Sequence, residues 1–183
     1  MSRSSLIVPL RIVFLMFVVY TIESYLNLDF GFLGIYPLSL QGMIGIFTAP
    51  FIHGSPSHIL SNTLPLLILG GILFYFYPEI SNRVFLQCFF FTNILVWMFG
   101  RPFYHIGASG LVYGLAFFLI SFGFFRRNIR SIVISAGVIM LYGGLVYTVF
   151  PLDERVSYES HLFGAITGLV TAFTLRNFHR YEA

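Results

Sequence analysis

The hydrophobic and polar positions of this chain show neither the strict alternation of a half-buried strand nor the one-sided stripe of a soluble helix. They form long, almost unbroken apolar runs separated by short polar clusters. A helix that is apolar all round must be surrounded by something other than water. About 17–25 such residues, rising 1.5 Å each, cross the roughly 30 Å of a bilayer's hydrocarbon. Six runs fit this description: residues 6–26, 56–77, 84–100, 107–125, 131–150 and 160–178. The pattern therefore predicts an all-α, polytopic membrane protein with six transmembrane helices, residues 1–183 forming a single membrane domain. The first run, with Arg3 before it and Arg11 inside it, has the look of a signal peptide. No small-x-small cleavage pattern follows and five further spans do, so a retained helix is expected.

Composition sharpens this picture. Hydrophobic residues make up 57% and charged residues 9%, against about 45–50% and about 25% in soluble domains. That balance excludes a soluble enzyme, a disordered tail and a secreted disulfide scaffold. Cys88 is the only cysteine and sits in an apolar run, so neither an internal disulfide nor a cysteine metal site is expected. There is no HExxH pair, and Asp29 and Asp153, the only aspartates, both fall between spans. Metalloprotease and aspartyl-dyad chemistry are thereby excluded. No cofactor or metal is expected, and no basic stripe marks the chain for nucleic acid.

All ten positive charges are arginines. With the N-terminus in the cytoplasm, Arg3, Arg11, Arg83, Arg126, Arg127, Arg130, Arg176 and Arg180 share one side and only Arg101 and Arg155 the other. Eight against two is a strong positive-inside bias. Both termini are expected in the cytoplasm, and the minimal chain points to a bacterial inner (plasma) membrane.

The connection 27–55 is long and still apolar, and is punctuated by Gly31, Gly34, Pro37, Gly42, Gly45 and Pro50. It should lie in the outer-leaflet interface. Polar residues inside or at the mouth of spans are costly and mark function. They gather in three places, at His53 to Asn62, Gly107 to Gly114 and Glu159 to Gly168, opening the second, fourth and sixth spans. In this topology all three helices enter from the outer face.

Ser109, flanked by Ala108 and Gly110, stands at a helix start, where free N–H groups favour developing negative charge. Taken alone, the segment from Gly107 to Gly110 reads as readily as a small-residue packing seam. His161 is followed by Gly164 and Gly168, a face that permits close approach to a helix carrying Gly110 and Gly114. A neutral imidazole there would serve as general base for the serine, though taken alone it could equally be an interfacial histidine bonded to loop backbone. Ser55 and Pro56 read as N-cap and first helical residue, so His58 falls in the first turn with Asn62 one turn on. Their N–H groups are candidate oxyanion donors. His53 does not share a helical face with His58, is a poor zinc partner for it, and is expected to anchor the loop.

The sequences HGSPSHILSN, GASG and ESHLFG, in that order on alternate spans, resemble the rhomboid family of intramembrane serine proteases. The resemblance implies a six-helix rhomboid bundle, a Ser109–His161 dyad without a carboxylate, and an oxyanion hole from His58, Asn62 and the Ser109 backbone N–H. It further implies Tyr113 packed beside His161, and substrates that are themselves transmembrane proteins, cut near the outer face beside small residues. The sequence departs from the family where many members carry Trp-Arg in the first loop, since Ile44-Gly45 stands at that position. The competing reading is a catalytically silent relative that binds or escorts membrane clients; a transporter would need an ionisable path through the lower leaflet, which is lacking. Neither the substrate nor the oligomeric state is encoded legibly. Water is expected to reach Ser109 through an outer cavity capped by residues 151–159, and the substrate to enter between the second and fifth spans. Glu159 is expected to point away from His161.

Overall fold

The computed structural model describes residues 6–150 and 157–178, which form seven α-helices and several 3-10 turns and, among the described residues, no strand. Helix α1 (Ile7–Leu26) stops where Asn27 turns left-handed at φ 52°. The first loop contains the one-turn helix α2 (Gly45–Thr48). Helix α3 (Pro56–Phe76) starts where Ser55 Oγ accepts from the His58 N–H and Pro56 presets the first turn. Tyr77 alone separates it from α4 (Pro78–Phe99). Helix α5 (Ser109–Arg126) leads to α6 (Ile129–Tyr142), which is capped by Asn128, and α7 (Tyr158–Leu175) is capped by Ser157.

Among the described residues, five helices are long and apolar enough to cross a membrane: α1, α3, α4, α5, and α6 with its continuation to Tyr147. Helix α7 is the sixth expected span; its opening turn is polar and its polar side is buried within the bundle. The chain is thus an integral membrane helical bundle. Two boundaries differ from the sequence reading. Helix α4 begins at Pro78, six residues before the expected start, because Glu79 in the first turn suits the helix dipole and the polar residues up to Arg83 are carried in the helix. The expected fifth span is helical only to Tyr142 and then tightens into a 3-10 segment, Gly143–Val149. Of the expected cap, residues 151–156 lie outside the described residues, while Ser157 and the two residues after it open α7.

Helix α5 is the centre of the bundle: 67% of its length is buried, against 17% for the peripheral α1. Its closest neighbour is α7. A Cβ on Gly164 would lie 2.3 Å from the Gly110 carbonyl oxygen, and one on Gly168 2.2 Å from that of Gly114. These two contacts, one turn apart in both chains, make the helices parallel and fix their register. Gly114 also lets α5 approach α4, where a Cβ would fall 2.8 Å from Cys88 Cβ.

The first loop is packed rather than loose. Gly45 backs onto the Gly34–Ile35 peptide and Gly42 onto the Tyr36 carbonyl, closer than any Cβ would allow. Helix α4 holds the loop from below, with Trp97 Nε1 donating to the Ser39 carbonyl (2.9 Å) and Asn93 Nδ2 to that of Ile46 (2.9 Å). Leu38, Leu40 and Phe47 remain exposed on its outer side, as a segment lying against lipid requires.

The seam makes a direct test. Gly164→Ala or Gly168→Ala forces a methyl into a backbone carbonyl and is expected to cost about 1–3 kcal/mol, seen as a fall of several degrees in the unfolding midpoint in detergent. Gly137→Ala, where a Cβ meets nothing within 4 Å, should be neutral or stabilising by up to about 1 kcal/mol. Equal responses at seam and control would contradict this packing.

Candidate active site

Ser109 is the first residue of α5 and is half-buried. The chain reaches it through Gly107, whose φ of +102° only glycine adopts without strain and whose N–H donates to the Ala49 carbonyl of the first loop (2.8 Å). The same glycine makes room for the second cluster. A Cβ here would fall 2.5 Å from His58 Nε2 and 3.7 Å from Asn62 Nδ2. The two donors on α3 therefore lie against the backbone that leads into Ser109. Asn62 is turned one way by its own hydrogen bond, Nδ2 donating to the His58 carbonyl (3.0 Å).

His161, on the first turn of α7, is buried and stacks flat on Tyr113, with ring centroids 4.0 Å apart and planes 3° from parallel. Tyr113 is four residues after Ser109, on the same face of α5. The Gly164–Gly110 contact, one turn beyond His161 on α7 and next to Ser109 on α5, brings the start of α7 level with the start of α5. Imidazole and hydroxyl thus belong to one face and one depth. Ser109, His161, Tyr113, His58, Asn62, Gly107 and Gly110 lie toward one end of the bundle, and Gly164 and Gly168 continue the α5–α7 seam toward its middle.

His53 is also close, its ring edge-on to His58 at 4.9 Å between centroids. It is almost fully buried, and among the described residues neither ring nitrogen makes a well-formed hydrogen bond. Burial, with His58 beside it, lowers its pKa to about 4, so it is neutral at ordinary pH. Among the described residues no group of three metal-ligating side chains stands together.

A polar network behind His161 was not legible in advance. Glu159 is buried and ion-paired with Arg101 at the start of the α4–α5 connection, with Arg101 Nη2 donating to Oε2 (3.1 Å) and the Arg101 N–H to Oε1 (3.2 Å). His105, in the same connection, bridges the Arg101 carbonyl (3.0 Å) and Ser157 Oγ (2.6 Å), and Ser157 Oγ contacts Ser160 Oγ (2.7 Å). The Arg101 guanidinium also lies over the Tyr158 ring at 4.5 Å. These contacts join the segment entering α5 to the one entering α7, so that the relative position of Ser109 and His161 is held from outside as well as by the seam. The available signal was that Arg101 and Glu159 are opposite in charge in a sparsely charged chain, Arg101 a few residues before one polar cluster and Glu159 opening the next.

Fold and site together define a rhomboid-type membrane protein, and the chain belongs to the rhomboid family: the family's Rhomboid domain matches residues 40–178. Among the proteins it resembles are mycobacterial ones. Uncharacterized proteins of Mycobacterium tuberculosis and Mycobacterium bovis are each 32% identical over 183 residues, covering 91% of this chain and 73% of theirs. An uncharacterized protein of Mycobacterium leprae is 35% identical over 159 residues, covering 78% of this chain and 60% of its own.

The buried neutral His53 carries a pH signature. Its folded pKa, about 4, is below the ordinary value of 6.5, so the unfolded chain binds its proton first and stability falls as pH drops from about 6.5 to about 4. The full effect of such a shift is about 3 kcal/mol. Unfolding midpoints measured across this range should slope less in His53→Gln than in the parent; identical slopes would contradict the assignment.

Proposed function

We propose that this protein is an intramembrane serine endopeptidase that cuts transmembrane proteins near the outer membrane face through a Ser109–His161 dyad. The observation that carries the reading is the His161–Tyr113 stack on the Ser109 face of α5, with His58 and Asn62 against Gly107 on the other side of the same helix start. In this mechanism His161 takes the Ser109 proton as the oxygen attacks the scissile carbonyl. The tetrahedral oxyanion then receives hydrogen bonds from His58, Asn62 and the Ser109 N–H, where the positive end of α5 adds to the stabilisation. Collapse breaks the C–N bond, and His161 returns the proton to the leaving amine. Water, deprotonated by the same imidazole, hydrolyses the acyl-enzyme and restores Ser109.

Tyr113 takes over the orienting role of a triad's third member, from the face of the imidazole rather than its edge. Flat stacking restricts the imidazole plane as a carboxylate's hydrogen bond would, without placing another charge in the membrane. Substrate entry is proposed between α3 and α6, where the outer end of α6 gives way to the 3-10 segment. The competing reading, a silent client-binding member, accounts for the fold but leaves the pairing of an accessible serine with a stacked histidine without a purpose.

Cleavage of a transmembrane substrate by purified protein in liposomes is the test. Ser109→Ala and His161→Ala should each abolish it while leaving the unfolding midpoint near that of the parent. His58→Ala and Asn62→Ala should each lower turnover by about 10²–10³ if each donates to the oxyanion. Substantial proteolysis by either dyad variant would overturn the mechanism.

A further inference from the structure

At the end of the bundle opposite Ser109, the α3–α4 junction, the α5–α6 turn and the end of α7 enclose a cavity of about 430 Å³. That is within the range of small-ligand sites. Its polar lining comes from Arg126, Arg130, Asn128, Tyr77 and Ser131, with Glu79 on one wall, so the two guanidiniums leave it one positive charge in excess. Phe76, Ile80 and Phe178 supply an apolar side.

Two of these residues are themselves buried, Ser131 fully and Tyr77 at 4% exposed; their hydroxyls face each other and neither has another hydrogen-bond partner among the described residues. Two hydroxyls that bond only to each other share one of their two hydrogens and leave the other free to donate into the cavity. The N-terminus of α6 opens on the same place, with Asn128 as its cap, and adds the positive end of a helix dipole. Guanidiniums, a hydroxyl donor and a helix N-terminus favour an oxyanion with several acceptor oxygens and disfavour a cation. The apolar wall fits a ligand whose charged head continues into carbon.

We propose that this cavity binds a phosphoryl anion, the phosphate of a phospholipid headgroup or of a small soluble phosphate ester, at the membrane face remote from Ser109. The site joins three chain segments at that face, so its occupation ties the α3–α4 junction to the α5–α6 turn. It does not depend on the protease reading.

The test is the thermal shift of the purified full chain in neutral detergent, titrated with dioctanoyl phosphatidylglycerol, dioctanoyl phosphatidylcholine or glycerol phosphate, since a ligand of the folded state raises the midpoint with concentration. Phosphatidylglycerol is expected to stabilise the protein. Arg126→Gln/Arg130→Gln should weaken it at least tenfold and Ser131→Ala about threefold, while Arg11→Gln/Arg83→Gln, which removes equal charge elsewhere, should change it less than twofold. Arg130→Gln alone, at an exposed position, keeps the test valid should the double variant not fold. Glycerol phosphate acting as strongly, with the same variant dependence, would assign the site to soluble esters; its failure would assign it to lipid. Equal weakening by both arginine pairs, equal response to all three compounds, or no shift with any would overturn the proposal.

Discussion

The close approach of α5 and α7 is the constraint on which the site depends. With the carbonyls of Gly110 and Gly114 seated where Gly164 and Gly168 lack side chains, the two helices can neither slide nor rotate without a backbone collision. In lipid there is little hydrophobic force between helices, and association rests on such packing and on polar contacts. Everything chemical at the Ser109 end inherits this register. His161 is one turn above Gly164, Ser109 adjoins Gly110, and Tyr113 completes the face on which the imidazole stacks.

Polar groups at membrane depth carry a penalty that only internal partners offset. The chain meets that demand with two arrangements. Arg101, Glu159, His105 and Ser157 form a closed network between the entries to α5 and α7, which neutralises two charges and clamps the loops. His53 takes the opposite course: buried without a well-formed hydrogen bond on either nitrogen among the described residues, it avoids the penalty by remaining uncharged beside His58. The first loop uses glycine in a third way. Where many family members carry Trp-Arg, Gly45 lets the loop fold directly on the Gly34–Ile35 peptide, and Trp97 and Asn93 from α4 anchor it.

Much of this was readable from the chain because apolar run length reports directly on membrane helices and because small residues at spacings of three and four report on close helix contact. Ser109, His161, His58 and Asn62 stood out as polar residues at the mouths of apolar runs, and the structure brings their elements to one end. What escaped were features that depend on where separate segments meet. The start of α4 was hidden because Glu79 and Arg83 read as loop, although a helix end can carry both. The Arg101–Glu159 pair joins residues far apart in sequence, and no local pattern announces it. The anchoring of the first loop by Trp97 was equally invisible, since a tryptophan in an apolar run reads as lipid-facing. The arginines at the end of the bundle remote from Ser109 read only as topology; the cavity between Arg126, Arg130 and the two buried hydroxyls exists only once three turns are assembled.

The central claim is that Ser109 is a nucleophile activated by His161, and covalent labelling addresses it without any knowledge of the natural substrate. Treating the purified membrane protein with a fluorophosphonate probe and mapping the adduct by mass spectrometry should place it on Ser109, with labelling lost in His161→Ala while that variant remains folded. An adduct elsewhere, or labelling of Ser109 at an undiminished rate without His161, would contradict the account.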